Sequence, residues 1–279
     1  MAGAGVATIL FSFVGEAQKV PAAVNARILL VPRRMISGER ATLAVLDVNG
    51  RLTPDVTVQF SNGDKVKTDA TGRALFVAPL NQGALFASIV GRPGRVATAI
   101  LPAGTVESTT QFESAQQIAS LVDRFEITGN GFCGDADKNT VTVGGEPALV
   151  LASSPNALTV LPPLDTQPGE AEVMVSCGKQ EPARFKLVLV SLRMQADTSP
   201  LQPGQERTLR VSVTGTQEKI QLEARNLAAD IAELAGGNPA RAFTAGGTKN
   251  SAEFKVTGKK RGNFLISIKL LPVMAKPAN

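Results

Sequence analysis

The sequence predicts an all-β chain built as three β-sandwiches in series. Three observations carry this. Short runs of β-branched residues and Phe alternate with polar residues, as in Val56-Thr57-Val58-Gln59-Phe60, the period-two pattern of a strand with one buried face. Turn residues punctuate these runs: Asn49-Gly50, Asn62-Gly63, Thr71-Gly72, Gly144-Gly145 and Pro168-Gly169. Asn-Gly in particular takes the positive φ angles of a tight hairpin turn. The same grammar recurs over three segments of similar length, and regularly spaced short strands argue a sandwich over a parallel sheet.

Residues 1–25 come first. Val6 to Val14 is apolar, with Ile9, Leu10, Phe11 and Phe13, yet too short to span a bilayer as a helix. It fits the apolar part of a secretory signal, with Ala17 and Gln18 flanking the candidate cleavage point. It departs from that pattern in having no Lys or Arg before Lys19. Residues 26–102 form the first module, with strands expected at 28–31, 41–46, 56–61, 65–68, 74–78, 84–90 and 96–101. Residues 103–121 are rich in Thr, Ser and Gln, with weak apolar spacing at Phe112, Ala115, Ile118 and Leu121. This reads as a linker with one or two helical turns.

Residues 122–192 form the second module, with strands at 124–128, 140–143, 148–152, 158–161, 170–176 and 183–190. Residues 193–272 form the third. Leu209/Val211/Val213, Phe254/Val256 and Phe264/Ile266/Ile268 mark its buried faces. Leu227, Ile231 and Leu234 have helical spacing, ended by Gly236-Gly237, so a short crossing helix is expected there. Residues 273–279 read as an unstructured tail.

Composition narrows the function. Of 279 residues 43% are hydrophobic, enough for ordinary cores. The chain has no His, Trp or Tyr. Without His there is no Ser-His or Cys-His nucleophile pair and no imidazole metal site. No phosphate-loop, dinucleotide-loop or nucleophile-elbow motif occurs. A non-enzyme without a cofactor is therefore expected. The net charge of +5 is spread along the chain. Its densest spot, Lys259-Lys260-Arg261 between Gly258 and Gly262, reads as a solvated hairpin turn. Nucleic-acid binding is not expected, because single strands usually stack on aromatic rings and here only Phe is present. Every apolar run after the first is cut by a charge, Gly or Pro, so no transmembrane helix is expected either.

The segments Gly38-Glu39-Arg40-Ala41-Thr42-Leu43, Asp47-Val48-Asn49-Gly50 and Thr68-Asp69-Ala70-Thr71-Gly72-Arg73-Ala74 resemble the bacterial immunoglobulin-like repeats of invasin- and intimin-type surface proteins. The segments Ile127-Thr128-Gly129-Asn130-Gly131-Phe132, Asn139 to Gly145 and Pro168-Gly169-Glu170-Ala171 resemble an IPT/TIG domain, also of immunoglobulin-like fold. These resemblances cover about half the chain and imply an immunoglobulin-like fold for the first two modules; the third has the same strand grammar without a motif that places it, so three tandem immunoglobulin-like β-sandwich domains are expected. Such modules act as spacers, adhesins and enzyme accessories alike, so function does not follow from fold.

Two constellations remain. Cys133 and Cys177 are the only cysteines, both in the second module. An even pair in an exported chain favours a disulfide over two reduced, buried thiols. Asp135-Ala136-Asp137-Lys138-Asn139 starts like a calcium loop, with Glu146 at the twelfth position. Thr140 stands where that loop needs Gly, so a solvated acidic turn is expected instead. The expectation is a non-catalytic, exported structural, adhesion or protein-binding protein, placed outside the cell, on its surface or in the periplasm. Its partner would be a protein or cell-surface component, docked on a sheet edge such as 96–101. The alternative is a carbohydrate-binding or accessory module of a secreted enzyme.

Overall fold

The computed structural model describes residues 7–11, 27–103, 111–197, 199–271 and 273–274. The candidate cleavage point at Ala17 and Gln18 lies outside them. Strand β1 (Ala7–Phe11) opens the chain. The first core is then enclosed by β2 (Arg27–Leu30), β3 (Arg34–Ile36), β4 (Arg40–Asp47), β5 (Thr57–Phe60), β6 (Lys65–Lys67), β7 (Arg73–Val77), β8 (Gly83–Ile89) and β9 (Val96–Leu101). One sheet runs β3-β9-β8-β5-β6; the facing layer is β2-β4-β7. Alternation decides what goes inside. Val58 and Phe60 of β5, and Ala74 and Phe76 of β7, are buried with Met35, Leu43, Val45 and Ala87.

Around the second core lie β10 (Gln111–Ser120), β11 (Phe125–Asn130), β12 (Asn139–Val143), β13 (Glu146–Pro147), β14 (Leu149–Ser154), β15 (Ala157–Leu161), β16 (Gly169–Cys177) and β17 (Ala183–Gln195). A 3-10 turn, Ala136–Lys138, precedes β12. The third core is closed by β18 (Glu206–Thr214), β19 (Gln221–Asn226), β20 (Ala232–Leu234), β21 (Ala240–Phe243), β22 (Ser251–Gly258), β23 (Phe264–Leu270) and β24 (Val273–Met274), with β1 on the edge of β23. Among the described residues all is strand, turn or coil apart from that 3-10 turn, and both resembled segments sit in immunoglobulin-like sandwiches. No helix among the described residues is long and apolar enough to cross a membrane.

Three expectations are corrected. Part of the stretch expected as linker, Gln111–Ser120, is a strand that pairs with β11, β17 and β24. Its backbone is spent in ladders on both sides, which its polar composition does not reveal. The helix expected at 227–234 is absent. Leu227 is exposed, and β20 buries Ala232 and Leu234 on either side of exposed Glu233. Asn226 holds the turn before it, donating to the carbonyls of Ala228 and Ala232 and accepting from the Ala228 N–H. Within the expected tail, Val273 and Met274 pair with Ile118 and Gln116.

The second and third cores share a wall. Along β17, Leu187 and Leu189 face the second core, while Val188, Val190, Leu192 and Met194 face the third. Pleating sends successive side chains to opposite faces, so one unbroken strand serves both. β10 does the same, with Ala119 in the second core and Ile118 in the third.

Candidate functional site

The junction of the first two modules gathers most of the residues singled out in the sequence. Cys133 and Cys177 form a disulfide with Cα atoms 5.2 Å apart. It ties the loop after β11 to the end of β16, where Asn139 stands opposite Cys177. Asn139 is buried, and its side chain organises the loop. Its Oδ1 accepts from the Cys133 N–H at 2.8 Å, and its Nδ2 lies 2.8 Å from the Cys133 carbonyl and 3.0 Å from the Asp135 carbonyl and Ser153 Oγ. Ser153 Oγ also donates to the Cys133 carbonyl.

The braced loop is pressed against the first module. Thr42 Oγ1 donates to the Gly134 carbonyl at 2.8 Å and accepts from the Ala136 N–H at 3.1 Å. A Cβ on Gly134 would overlap the Arg40 carbonyl, so only glycine allows this approach. Thr42 also pairs with Ser153, which carries the sheet from β4 into β14. Ser154 Oγ donates to the Arg34 carbonyl at 2.6 Å. Beneath these bonds Leu30, Ala44, Leu46, Leu151 and Ala152 form a small apolar core of their own.

Arg73 completes the junction. Asp69 accepts from the Thr71 hydroxyl and the Thr71 and Arg73 N–H groups, and the Thr71 hydroxyl bond is the first cause that holds its carboxyl below the ordinary value. That turn closes at Gly72, where φ is +75° and a Cβ would meet Thr53 N at 2.5 Å. Arg73 then reaches out to the Val150 carbonyl at 3.2 Å and the Asp137 carboxylate at 2.7 Å.

The acidic loop is thereby used as structure. Asp135 caps the 3-10 turn by accepting from the Asp137 N–H, Asp137 pairs with Arg73, and Asn139 points into the loop. Glu146 lies exposed on β13. Among the described residues no group of three or more His, Cys, Asp or Glu side chains could hold a metal ion. The basic run is a turn, with Lys259 paired to Glu233 at 2.9 Å and Lys260 to Asp230 at 2.7 Å.

Next to the junction a cleft of about 420 Å³ opens between Gly38, Arg40 and Val77 on one side and Cys133, Asp135 and Lys138 on the other. Val77 also borders a second cleft, about 230 Å³, that reaches Phe60 and Phe76 between β6 and β7. Strand β7 runs between the two. It pairs only with β4 among the described strands. Gly72 and Ala78 bond toward β4, so by alternation the main chains of Leu75 and Val77 point outward. The same two residues expose their side chains, Leu75 at 46% and Val77 at 61%, and Leu80 follows at 78%. The edge expected at 96–101 is different: β9 is covered by β8 on one side and β3 on the other. The strand at β7 is expected from the sequence, but neither its open edge nor the Thr42–Gly134 contact is singled out there. The exposed Leu75/Val77 alternation was its one available signal.

Three solved structures show a distant likeness to this chain. SGBP-B of the mixed-linkage glucan utilization locus of Bacteroides ovatus, in complex with a mixed-linkage heptasaccharide, has 12% identity and a TM-score of 0.31, covering 91% of this chain and 75% of that one. The adhesin FdeC of Escherichia coli has 12% identity and a TM-score of 0.24, covering 92% and 98%. The four N-terminal immunoglobulin domains of Dscam1 isoform 7.44 have 11% identity and a TM-score of 0.27, covering 85% and 73%. No curated protein matches the chain. The family model of the IPT/TIG domain matches residues 122–187, the segment that carries the disulfide and the junction loop.

Proposed function

We propose that the chain is an exported, non-catalytic protein of three immunoglobulin-like modules, spanning 26–102, 122–192 and 193–272. It acts as a rigid spacer and presents the β7 edge to a protein partner at the cell surface. The observation that carries this is the way modules are joined: by the β4–β14 pairing and its buried core, then by the wall of β10 and β17. A chain built to flex would place exposed, polar backbone at those points.

Export is supported by the disulfide, since such bonds persist in oxidising compartments. The partner is proposed to add an extended strand along β7. Main-chain bonds to Leu75 and Val77 supply affinity there, and the flanking clefts supply side-chain pockets. A sugar platform would need a row of exposed rings. Of the described Phe residues with known burial, Phe243 is exposed; Phe86 is half-buried beside Arg95, Phe112 and Phe185 are half-buried against each other on the second core, and Phe60, Phe76, Phe125, Phe132, Phe254 and Phe264 are buried. The test is a capture experiment against extracellular proteins, run beside a glycan array. Capture of a protein that Leu75→Lys/Val77→Lys abolishes supports the proposal. Selective glycan binding lost in Phe243→Ala would replace it with the carbohydrate-binding alternative.

A further inference from the structure

The third sandwich borrows its edge strand from the far end of the chain. β1 pairs antiparallel with β23 in unbroken register, Ala7 opposite Ile268, Ile9 opposite Ile266 and Phe11 opposite Phe264. The Leu227 N–H donates to the Leu265 carbonyl and the Leu271 N–H to the Gln221 carbonyl, so odd residues of β23 turn their main chain toward β19. By alternation Phe264, Ile266 and Ile268 turn theirs toward β1. Their side chains are at most 2% exposed. Without β1, this edge would present a row of unpaired main-chain groups directly above a packed core, a ready template for strand addition.

We propose that this edge of β23 is a strand-acceptor site which, once vacated, binds an extended apolar strand of another protein antiparallel to Phe264–Leu270. Three features support that occupant. A segment of the required kind, Ala-Thr-Ile-Leu-Phe, is already seated there residue for residue. No hairpin holds it: β1 and β23 are the first strand and the last but one in chain order, so a strand from elsewhere replaces it without loss of a turn. The candidate cleavage point between Ala17 and Gln18 lies between β1 and β2, so processing there separates the occupant from its groove. The proposal rests on the export reading only for how the edge is vacated.

The experiment uses the chain beginning at Gln18 and a labelled synthetic peptide of residues 6–14, with binding read by fluorescence anisotropy. Saturable one-to-one binding is expected. Methylating the Ile9 amide, which faces Ile266, should weaken it at least tenfold, as expected when a ladder hydrogen bond is lost. Methylating the Leu10 amide, which faces away, should leave it within about threefold, because that group makes no bond to β23. If the Gln18 chain does not fold alone, peptide present during refolding must restore a cooperative unfolding transition of the third sandwich. Absence of binding to a folded Gln18 chain, failure of rescue, or equal binding of both methylated peptides overturns the proposal. Amino-terminal sequencing of the protein from its host tests export separately, so the two readings can fail independently.

Discussion

Arg73 and Asp137 meet at 2.7 Å across the junction of the first two modules, and the arginine is the partner that is buried, at 11% exposed against 70%. That asymmetry separates their contributions. An ion pair with a largely exposed carboxylate contributes little, about 1 kcal/mol or less. The Arg73 bond to the Val150 carbonyl is sheltered and charge-assisted, a class that contributes about 1.5–3 kcal/mol. Arg73→Ala should therefore destabilise the junction by about 2 kcal/mol, and Asp137→Ala by less than about 1 kcal/mol. Hydrogen exchange at β4 and β14, with both single variants and the double, measures each effect and their coupling.

Gly134→Ala should separate the modules while leaving each one folded. The added methyl overlaps the Arg40 carbonyl, which is backbone and cannot rotate away. Relief requires the loop to withdraw, which breaks both Thr42 bonds. Scattering should show an increased radius of gyration, with the circular dichroism of the sandwiches unchanged.

The disulfide closes a sequence separation of 44 residues, for which loop entropy gives about 4 kcal/mol at most. Cys177→Ala should lower the stability of the middle module by about 2–4 kcal/mol. Protection at Thr42 and Gly134 should fall with it, because the bond braces the loop that touches the first module. Reduced and unreduced masses of the natural chain should differ by two hydrogens.

Glu223 makes the third module acid-sensitive. It is 3% exposed on β19, with Arg241 and Lys269 each 3.1 Å away on the flanking strands and Arg225 at 3.6 Å. Burial is the largest influence and pushes its pKa up; the bonds from Lys269 and Arg241 and their charges outweigh it, and the carboxyl sits below its ordinary value. A carboxyl depressed by folding binds fewer protons in the native state. Its contribution is therefore present above the unfolded Glu pKa of about 4.3 and is lost as pH falls through the lower native value. Denaturant unfolding of the third module should weaken below about pH 4.3, and Glu223→Gln should flatten that dependence.

What the sequence revealed was local. Asn62-Gly63 and Asp69 to Arg73 dictate their turns through positive φ angles and side-chain-to-backbone bonds two to four residues away. Period two in Val58/Phe60 or Leu209/Val211/Val213 decides which side is buried. The strands expected on this basis lie within a few residues of those found. The misread stretches depend on distant partners. Gln116-Gln117 looks solvated, yet its strand is fixed by β17 and β24, over 60 and 150 residues away. Leu227, Ile231 and Leu234 mimic a helical stripe, but Asn226 and the ladder to β22 hold the chain otherwise. The junction was hidden for the same reason. Thr42, Arg73 and Gly134 acquire their meaning only once two sandwiches meet.

Rigidity of the array is the central claim, and residual dipolar couplings of backbone amides in weakly aligned solution test it most directly. A rigid body orients as one, so couplings from β4, β16 and β22 should fit a single alignment tensor within experimental error. Gly134→Ala should split the first module from the other two. Separate tensors for the three modules of the unaltered chain would contradict the account.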